Sequence, residues 1–239
     1  IDINITYRYL VYIMLSYMEK DRLEVGVDEA GRGPLFGAVY TAAVIFPQEE
    51  EYLNEYIVDS KKLTSHRKRL LAYDYVKENA IAYSIFAVDE KMIDKLNIFH
   101  ATYWGTHRAL DNLDVIPEHI LMDGNAFKPY NRNGEYISHT CVVKGDDKYA
   151  SIAAASILAK VERDLYIENL CDKYPILEER YNMRKNKGYG TKDHMNGIKE
   201  HGVTNKHRFS YKIVQEYSTI KNVEYLNWIN INLITLYYN

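Results

Sequence analysis

The sequence predicts an α/β layered fold, because strand-like and helix-like segments alternate along most of its length. Runs such as VGV (25–27) and HILMDG (119–124) are short and apolar and end at turn residues, as buried strands do. The segment from Tyr149 to Tyr174 combines strong helix formers with small residues, which favours a long, closely packed helix. No repeat or low-complexity linker interrupts the pattern, so one domain is the simplest division.

The other elements are predicted from apolar runs for strands and from capping residues for helices. Further strands are predicted at 38–46, 83–88 and 139–143. Thr64 or Ser65 is a candidate N-cap for a helix through 67–79, and Asp89 is one for a helical stretch that resumes after Asn97.

The composition is that of an ordinary globular protein. The 239 residues are 47% hydrophobic and 26% charged, with a net charge of −3, so any basic surface for a polyanion must be local. The two cysteines, Cys141 and Cys171, have neither metal-type spacing nor a disulfide pattern, which indicates a reducing compartment. We therefore expect a cytoplasmic protein.

The apolar stretch at residues 9–18 is much shorter than the roughly 20 residues that span a bilayer. It also lacks a basic lead-in and a small-residue cleavage site. We expect an extra helix or arm packed on the domain and no membrane association.

Acidic residues follow several of the predicted strands, where a fold can bring them together: Asp28, Glu29, Asp123 and Asp146. Glu29 joins this group if the chain bends immediately after Asp28, and Gly31 and Gly33 make such a bend easy. Clustered carboxylates repel one another, and a dication relieves that repulsion. Hard oxygen ligands suit Mg²⁺ or Mn²⁺, and two ions about 4 Å apart serve phosphodiester hydrolysis. One strand-end Asp alone is more often a turn residue, so the prediction depends on the conjunction.

Five blocks, in order, closely resemble ribonuclease HII, the type 2 ribonuclease H: DEAGRGPLFGAV (28–39), DSKKLT (59–64), MDGN (122–125), KGDDKYASIAAASILAKVERD (144–164) and KGYGT (187–191). The resemblance covers about residues 24–212. It implies a ribonuclease H-like α/β fold, with a mixed central sheet flanked by helices and a helical C-terminal part.

The resemblance also implies an activity. The expected enzyme cleaves the RNA strand of RNA–DNA hybrids and incises 5′ of single ribonucleotides in duplex DNA, leaving 5′-phosphate and 3′-hydroxyl ends. Such an enzyme, dependent on Mg²⁺ or Mn²⁺ with two ions during catalysis, serves ribonucleotide removal and RNA primer removal. A catalytically silent hybrid-binding protein is the alternative, although all four acids are present.

By the same resemblance, Asp28, Glu29, Asp123 and Asp146 are the metal-site and catalytic acids. Asp147 is the alternative for the last position, but the family pattern places the acid directly after the glycine. Asp164 is expected to form a helix-surface ion pair with Lys160 or Arg163.

The resemblance assigns further residues to substrate. Gly31, Arg32 and Gly33 match the motif that reads the 2′-hydroxyl at the RNA–DNA junction, which glycines allow by close backbone approach. Tyr189 matches the tyrosine that packs on the next sugar and demands a deoxyribose. Lys61 and Lys160 match positions near phosphates.

Residues 184–212 contain eight Lys or Arg and two acids, with His194, His201 and His207 interleaved. This local excess suits a phosphate-backbone footprint, and a solvated basic face is the alternative. The histidine spacing argues against a zinc site.

The predicted division is an N-terminal extension (1–23), a catalytic domain (24–216) and a C-terminal tail (217–239). The short N-terminus and Arg32, where the type 3 enzyme has lysine, favour type 2. Ile234, Tyr237 and Tyr238 are similar to the aromatic end of sliding-clamp binding peptides, but Ile231 replaces the expected glutamine. Apolar packing is the better explanation of this tail, and a monomer is expected.

Overall fold

A mixed six-stranded sheet lies at the centre of the protein. The computed structural model describes residues 14–60, 62–63, 65–220, 224 and 226. The strands are β1 (Glu24–Ala30), β2 (Val39–Ile45), β3 (Ala82–Val88), β4 (His119–Asp123), β5 (Tyr130–Arg132) and β6 (Glu135–Val142). Their order is β3-β2-β1-β4-β6-β5. The predicted strands are all present, while the three-residue β5 is an addition.

Helices cover the sheet and form the C-terminal part. They are α1 (His66–Asn79), α2 (Glu90–Leu96), α3 (Ile98–Asp111), α4 (Ala150–Lys173), α5 (Ile176–Tyr181), α6 (Met183–Asn186), α7 (Lys192–His201) and α8 (Lys212–Ile220). The side chains of Ser65, Asp89 and Asn97 accept hydrogen bonds from the first turns of α1, α2 and α3. The helix starts expected at Ser65 and Asp89 are therefore confirmed, and Asn97 caps the helix that was expected to follow it.

The three parallel strands bring distant acids to one edge of the sheet. β1 is parallel to β4, with Val27 opposite Met122, and β4 is parallel to β6, with Asp123 opposite Val142. Because parallel strands run in one direction, their carboxyl ends meet at the same edge. That edge carries Asp28, Asp123 and the turn after β6.

The expected bend directly after Asp28 is wrong. β1 continues to Ala30, and Asp28, Glu29 and Ala30 pair in register with β2. Pairing with β2 continues to Ala30, which extends the strand past Asp28, and the Glu29 N–H donates to Oδ1 of Asp28. The turn begins at Gly31, whose φ of +96° favours glycine.

Helix α4 crosses the sheet directly behind β1. A Cβ on Gly26 of β1 would lie 2.1 Å from the Ser151 carbonyl carbon, so the two backbones are in direct contact. Ala153, Ala154 and other small residues of α4 are fully buried there. The small-residue composition of this segment thus serves close packing on the sheet, as predicted.

The C-terminal helices form a second apolar cluster around Phe36, Leu177, Tyr181 and Ile198. At the other end of the chain, Leu15 pairs with Tyr149 in an isolated bridge, so the described end of the 9–18 stretch is an arm on the domain. No helix in the described ranges is both long and apolar enough to cross a membrane.

Candidate active site

Asp28 lies at the centre of the strand-end acids. It is buried, and its Oδ1 accepts the Glu29 N–H at 2.7 Å. Burial raises the pKa of the Asp28 carboxyl well above its usual value, and the charges of Glu29 and Asp123 raise it further. A hydrogen bond from Ser156 of α4 opposes that rise. Three of the four predicted acids therefore lie within electrostatic range of one another.

The Glu29 carboxylate forms an ion pair with the loop that follows β1. Its Oε1 lies 3.1 Å from Nη1 of Arg32. The Arg32 guanidinium also lies 4.8 Å from the ring centre of Phe99, an exposed side chain in the first turn of α3. Arg32 thus joins the acidic edge to an exposed aromatic surface by an ion pair and a cation–π contact.

Asp123 and Asp146 belong to neighbouring strand ends. Oδ1 of Asp123 accepts the Gly145 N–H at 2.7 Å, which ties the end of β4 to the turn after β6. Asp146, in that turn, is only 4% exposed. Asp147 forms an ion pair with Lys62 at 2.5 Å. Asp146 is thus more deeply buried than Asp147, whose side chain is 35% exposed. The choice of Asp146 over Asp147 stays a prediction from the family pattern.

Each of these acids has contacts of its own, and their carboxylates do not converge on one point. In the part of the chain that the structure describes, no three acidic, histidine or cysteine side chains are close enough to hold a metal ion as they stand. The donors are nevertheless carboxylate oxygens, which Mg²⁺ and Mn²⁺ prefer. Since Asp28 is buried between two acidic neighbours, a cation there would relieve their repulsion. The residues therefore fit a hard divalent ion.

The Gly31–Gly33 loop is braced from behind by two buried arginines. Arg208 donates to the carbonyls of Gly31 at 2.6 Å and Arg32 at 2.9 Å. The Arg163 side chain lies directly against Gly31, where a Cβ would come within 2.0 Å of its Nε. Arg32 and Gly33 face solvent. The loop is thus a fixed surface with its backbone accessible on one side.

Tyr189 stands beside this loop. It is 46% exposed, and a Cβ on Gly33 would lie 3.4 Å from its Cε1. The turn expected from its flanking glycines is present, because Gly188 has a φ of +82°. The structure therefore brings Gly31, Arg32, Gly33 and Tyr189 together, next to Asp28 and Glu29.

The structure describes one of the two predicted lysines. Lys61 lies outside the described residues. Lys160 is on α4, one turn beyond Ser156, and its Nζ lies 2.5 Å from Oδ1 of Asp164. Burial lowers the pKa of Lys160. The predicted partner of Asp164 is present, but the pair is not on the helix surface, since Asp164 is only 4% exposed.

Part of the predicted phosphate footprint is buried. Lys206, His194, His207 and Arg208 are all less than 10% exposed. They hold neighbouring loops together, because the C-terminal part packs against the loop after β1. These four cannot belong to a surface footprint. Basic side chains that are exposed include Lys185, Lys192, Lys199 and Lys212.

Five buried side chains that support the site were not predicted from the sequence: Ser156, Arg163, His194, His207 and Arg208. A single arginine or histidine among other charges is ordinarily a surface residue. The available signal is the position of Ser156 and Arg163 among the small residues of α4, which must pack against the sheet.

A family profile described as Ribonuclease HII matches residues 25–214. This chain belongs to the ribonuclease HII family. The ribonuclease HII of Parabacteroides distasonis is 48% identical over 208 residues, which are 87% of this chain and 99% of the relative. That of Phocaeicola vulgatus is 46% identical over 202 residues, 84% and 95% of the two chains. The predicted resemblance, with type 2 favoured over type 3, is confirmed, and the chain is classed as a ribonuclease H endoribonuclease.

Solved structures agree on the fold. The ribonuclease H2 of Pyrococcus horikoshii has a TM-score of 0.67 at 23% identity, covering 82% of this chain and 97% of its own. An Archaeoglobus fulgidus RNase HII, solved in complex with PCNA, has a TM-score of 0.64 at 23% identity, covering 80% and 95%. Bst-RNase HIII, solved with Mn²⁺, has a TM-score of 0.56 at 16% identity, covering 90% and 73%. The predicted ribonuclease H-like fold is confirmed.

Proposed function

We propose that this ribonuclease HII cleaves the RNA strand of RNA–DNA hybrids and incises 5′ of single ribonucleotides in duplex DNA. The observation that carries the proposal is that the candidate metal-binding acids and the candidate substrate-reading residues lie at the same edge of the sheet. Asp28 lies among acids there, and the Gly31–Gly33 loop with Tyr189 lies beside them. Cleavage and recognition of the 2′-hydroxyl would thus occur next to each other.

Asp28, Glu29, Asp123 and Asp146 are proposed to hold divalent ions, Mg²⁺ or Mn²⁺, two during catalysis. When bound, such ions supply an activated water and stabilise the leaving 3′ oxygen, which yields 5′-phosphate and 3′-hydroxyl ends. The effect of the Glu29 and Asp123 charges on the buried Asp28 carboxyl supports this assignment. Arg32 would exchange its ion pair with Glu29 for a contact with substrate.

The Gly31–Gly33 loop, here called the reading loop, is proposed to recognise the 2′-hydroxyl through its backbone. Gly33 faces solvent, and neither it nor Gly31 places a Cβ between the peptide groups and a sugar. Peptide N–H and C=O groups bond to a 2′-hydroxyl as donors or acceptors, and a deoxyribose offers no such partner. Tyr189, whose ring lies at Gly33, would cover the following deoxyribose. Lys61 and Lys160 are proposed phosphate contacts.

The decisive experiment replaces Asp28, the buried acid next to Glu29 and Asp123. We expect Asp28→Asn to lower cleavage of a duplex with one ribonucleotide by at least about 10³-fold, because removal of a charge that stabilises a transition state has costs of that order. Binding of the same duplex should stay within about threefold. The measurement is single-turnover cleavage with Mg²⁺ and with Mn²⁺, beside a binding titration.

Asp114→Asn is the matched control, since Asp114 is exposed beyond the far end of α3. Near-normal turnover in Asp28→Asn would refute the assigned role. A wild-type protein that binds but never cuts would instead support a silent hybrid-binding protein.

The second experiment separates recognition from cleavage. We expect Tyr189→Ala to reduce cleavage at a single ribonucleotide by roughly tenfold more than cleavage of an all-RNA/DNA hybrid, since stacking of an aromatic ring is worth about 1–3 kcal/mol. Tyr189→Phe keeps the ring and is the control. Equal losses on the two substrates would count against the assignment.

The remaining expectations concern the whole protein. A monomer, a cytoplasmic location, the 1–23, 24–216 and 217–239 division, and roles in ribonucleotide and primer removal stay part of the proposal. The aromatic end of the tail (234–238) lies outside the described residues. Leu226 is buried in the C-terminal cluster, which supports apolar packing over clamp binding for that part of the tail.

A further inference from the structure

Two histidines without an assigned role lie directly behind Tyr189. His194 on α7 and His207 in the loop before α8 are both fully buried. Their Nε2 atoms are 3.0 Å apart, which is hydrogen-bond distance. The rings of Phe36 and Tyr181 pack edge-on against His207. Such a pair is neutral, and burial lowers the pKa of His194 to about 4.

The hydrogen bonds fix which nitrogen carries each proton. The Thr204 N–H donates to Nδ1 of His207 at 2.9 Å, so that nitrogen accepts and the proton is on Nε2. Nε2 of His207 then donates to Nε2 of His194, which leaves the His194 proton on Nδ1. That N–H donates to the Tyr189 carbonyl at 3.0 Å. The chain of bonds therefore runs in one direction, from Thr204 to Tyr189.

The segment of residues 188–208, which contains both histidines, also contacts the Gly31–Gly33 loop and the residues just after it. The Leu35 N–H donates to the Gly188 carbonyl at 2.9 Å, and the Gly37 N–H donates to the Lys206 carbonyl at 2.8 Å. Arg208, next to His207, binds the carbonyls of the Gly31–Gly33 loop. Two consecutive residues, His207 and Arg208, thus support opposite sides of one contact, that between Tyr189 and Gly33.

We propose that His194 and His207 are positioning residues that hold Tyr189 against Gly33 and thereby set the preference for an RNA–DNA junction. The proposal rests on the proposed function, because it names the residues behind the same recognition element. The carbonyl of Tyr189 has a second donor, the Thr191 N–H at 2.7 Å. Loss of the histidine bond therefore alters the position of the tyrosine without releasing the turn.

Two substitutions of His194 separate its two nitrogens. Asparagine places an amide N–H near the Nδ1 position and keeps the bond to Tyr189, whereas glutamine reaches the Nε2 position and keeps only the bond to His207. We expect His194→Gln to lower the ratio of single-ribonucleotide to all-RNA hybrid cleavage roughly five- to tenfold, the equivalent of one lost hydrogen bond. His194→Asn should retain the wild-type ratio within about twofold.

His139→Gln is the matched control, since His139 is a partly exposed histidine on β6, outside residues 184–212. Its ratio should equal that of the wild type. If His194→Gln and His194→Asn both keep the wild-type ratio, or lower the two activities equally, the positioning role is wrong. Failure of the wild type to cut at a single ribonucleotide would instead overturn the proposed function.

A measurement on the unsubstituted protein covers the case in which His194→Gln does not fold. Nitrogen-15 NMR of the histidine rings distinguishes the two neutral tautomers. We expect a proton on Nδ1 of His194 and on Nε2 of His207. The opposite tautomer of His194 would remove the histidine bond to the Tyr189 carbonyl and would overturn the proposal.

Discussion

Asp28 occupies a position that disfavours its own charge. Burial and two acidic neighbours raise the pKa of its carboxyl, and only Ser156 and the Glu29 N–H oppose them. An isolated carboxylate avoids such a place, because water solvates it better. The position is reasonable for a residue whose partner is a cation, and it supports the metal-binding role proposed for the acidic edge.

The two glycines of the reading loop should respond differently to substitution. Gly31 combines a φ of +96° with close contact to Arg163, so Gly31→Ala should lower the free energy of unfolding by about 2 kcal/mol or more. Gly33 has an ordinary φ, and a Cβ there would only touch the Tyr189 ring. Gly33→Ala should fold normally yet lose cleavage at single ribonucleotides.

Urea unfolding and the two cleavage assays check this pair of expectations. A Gly33→Ala protein that cuts single ribonucleotides as well as the wild type would contradict the placement of the 2′-hydroxyl at this loop. Equal stability of Gly31→Ala and the wild type would contradict the contact with Arg163.

The residues proposed to face substrate were identified from sequence, whereas the side chains that support them were not. Asp28, Gly31 and Tyr189 lie in short blocks that a family resemblance identifies. Arg163 and Arg208 act by binding carbonyls up to 177 positions away along the chain. No local pattern encodes such a contact, because a carbonyl acceptor belongs to every residue type.

At the scale of elements, the contact between β1 and α4 fixes the site. β1 carries Asp28, and α4 carries Ser156 one and a half turns after the helix start. Gly26 lets the two backbones meet, so its neighbours on both elements are held at a fixed separation. The geometry around Asp28 therefore depends on a residue two positions before it.

Gly26→Ala tests this dependence. Its Cβ would lie 2.1 Å from backbone atoms of Ser151, which cannot rotate away, so we expect a loss of about 3 kcal/mol or more in unfolding free energy. Thermal unfolding by circular dichroism measures it. Gly33→Ala, where the nearest atom is a side chain at 3.4 Å, is the comparison. A melting temperature for Gly26→Ala equal to that of the wild type would show that α4 does not pack this closely.

The elements themselves were largely predictable. Capping residues located the starts of α1 and α2, the stretch after Asn97 was predicted as helical, and apolar runs located β1 to β4 and β6. β5 has only three residues, too few for a periodic signal. The extent of β1 past Asp28 could not be predicted, because pairing with β2 decides it and that register is a tertiary property.

At the scale of the whole molecule, the buried histidines make stability depend on pH. The unfolded chain protonates His194 and His207 below about pH 6.5, whereas folded His194 resists protonation down to about pH 4. The unfolded state therefore binds more protons, and the free energy of unfolding should fall as pH falls from 6.5 to 4. The slope is at most about 1.4 kcal/mol per pH unit for each histidine.

Urea unfolding at pH 6.5, 5.5 and 4.5 checks this slope, and His194→Asn should reduce it by roughly half. Glu90 contributes with the opposite sign, since burial raises its pKa, so the difference between wild type and variant isolates the histidine part. Tyr181, whose ring faces both histidines, stays neutral in this range because burial raises its pKa. Identical slopes in the two proteins would contradict neutral burial.

The support of the Gly31–Gly33 loop by Arg208 also has a consequence for synthesis. The acids of β1 and the loop are synthesised before Arg208, which follows Gly31 by 177 positions. At about 5–20 residues per second, translation takes on the order of 10 s to cover that distance. During this interval a nascent chain carries the loop sequence without its brace. The surface proposed to read the 2′-hydroxyl therefore becomes braced only after Arg208 has been made, well after synthesis of the acids beside it.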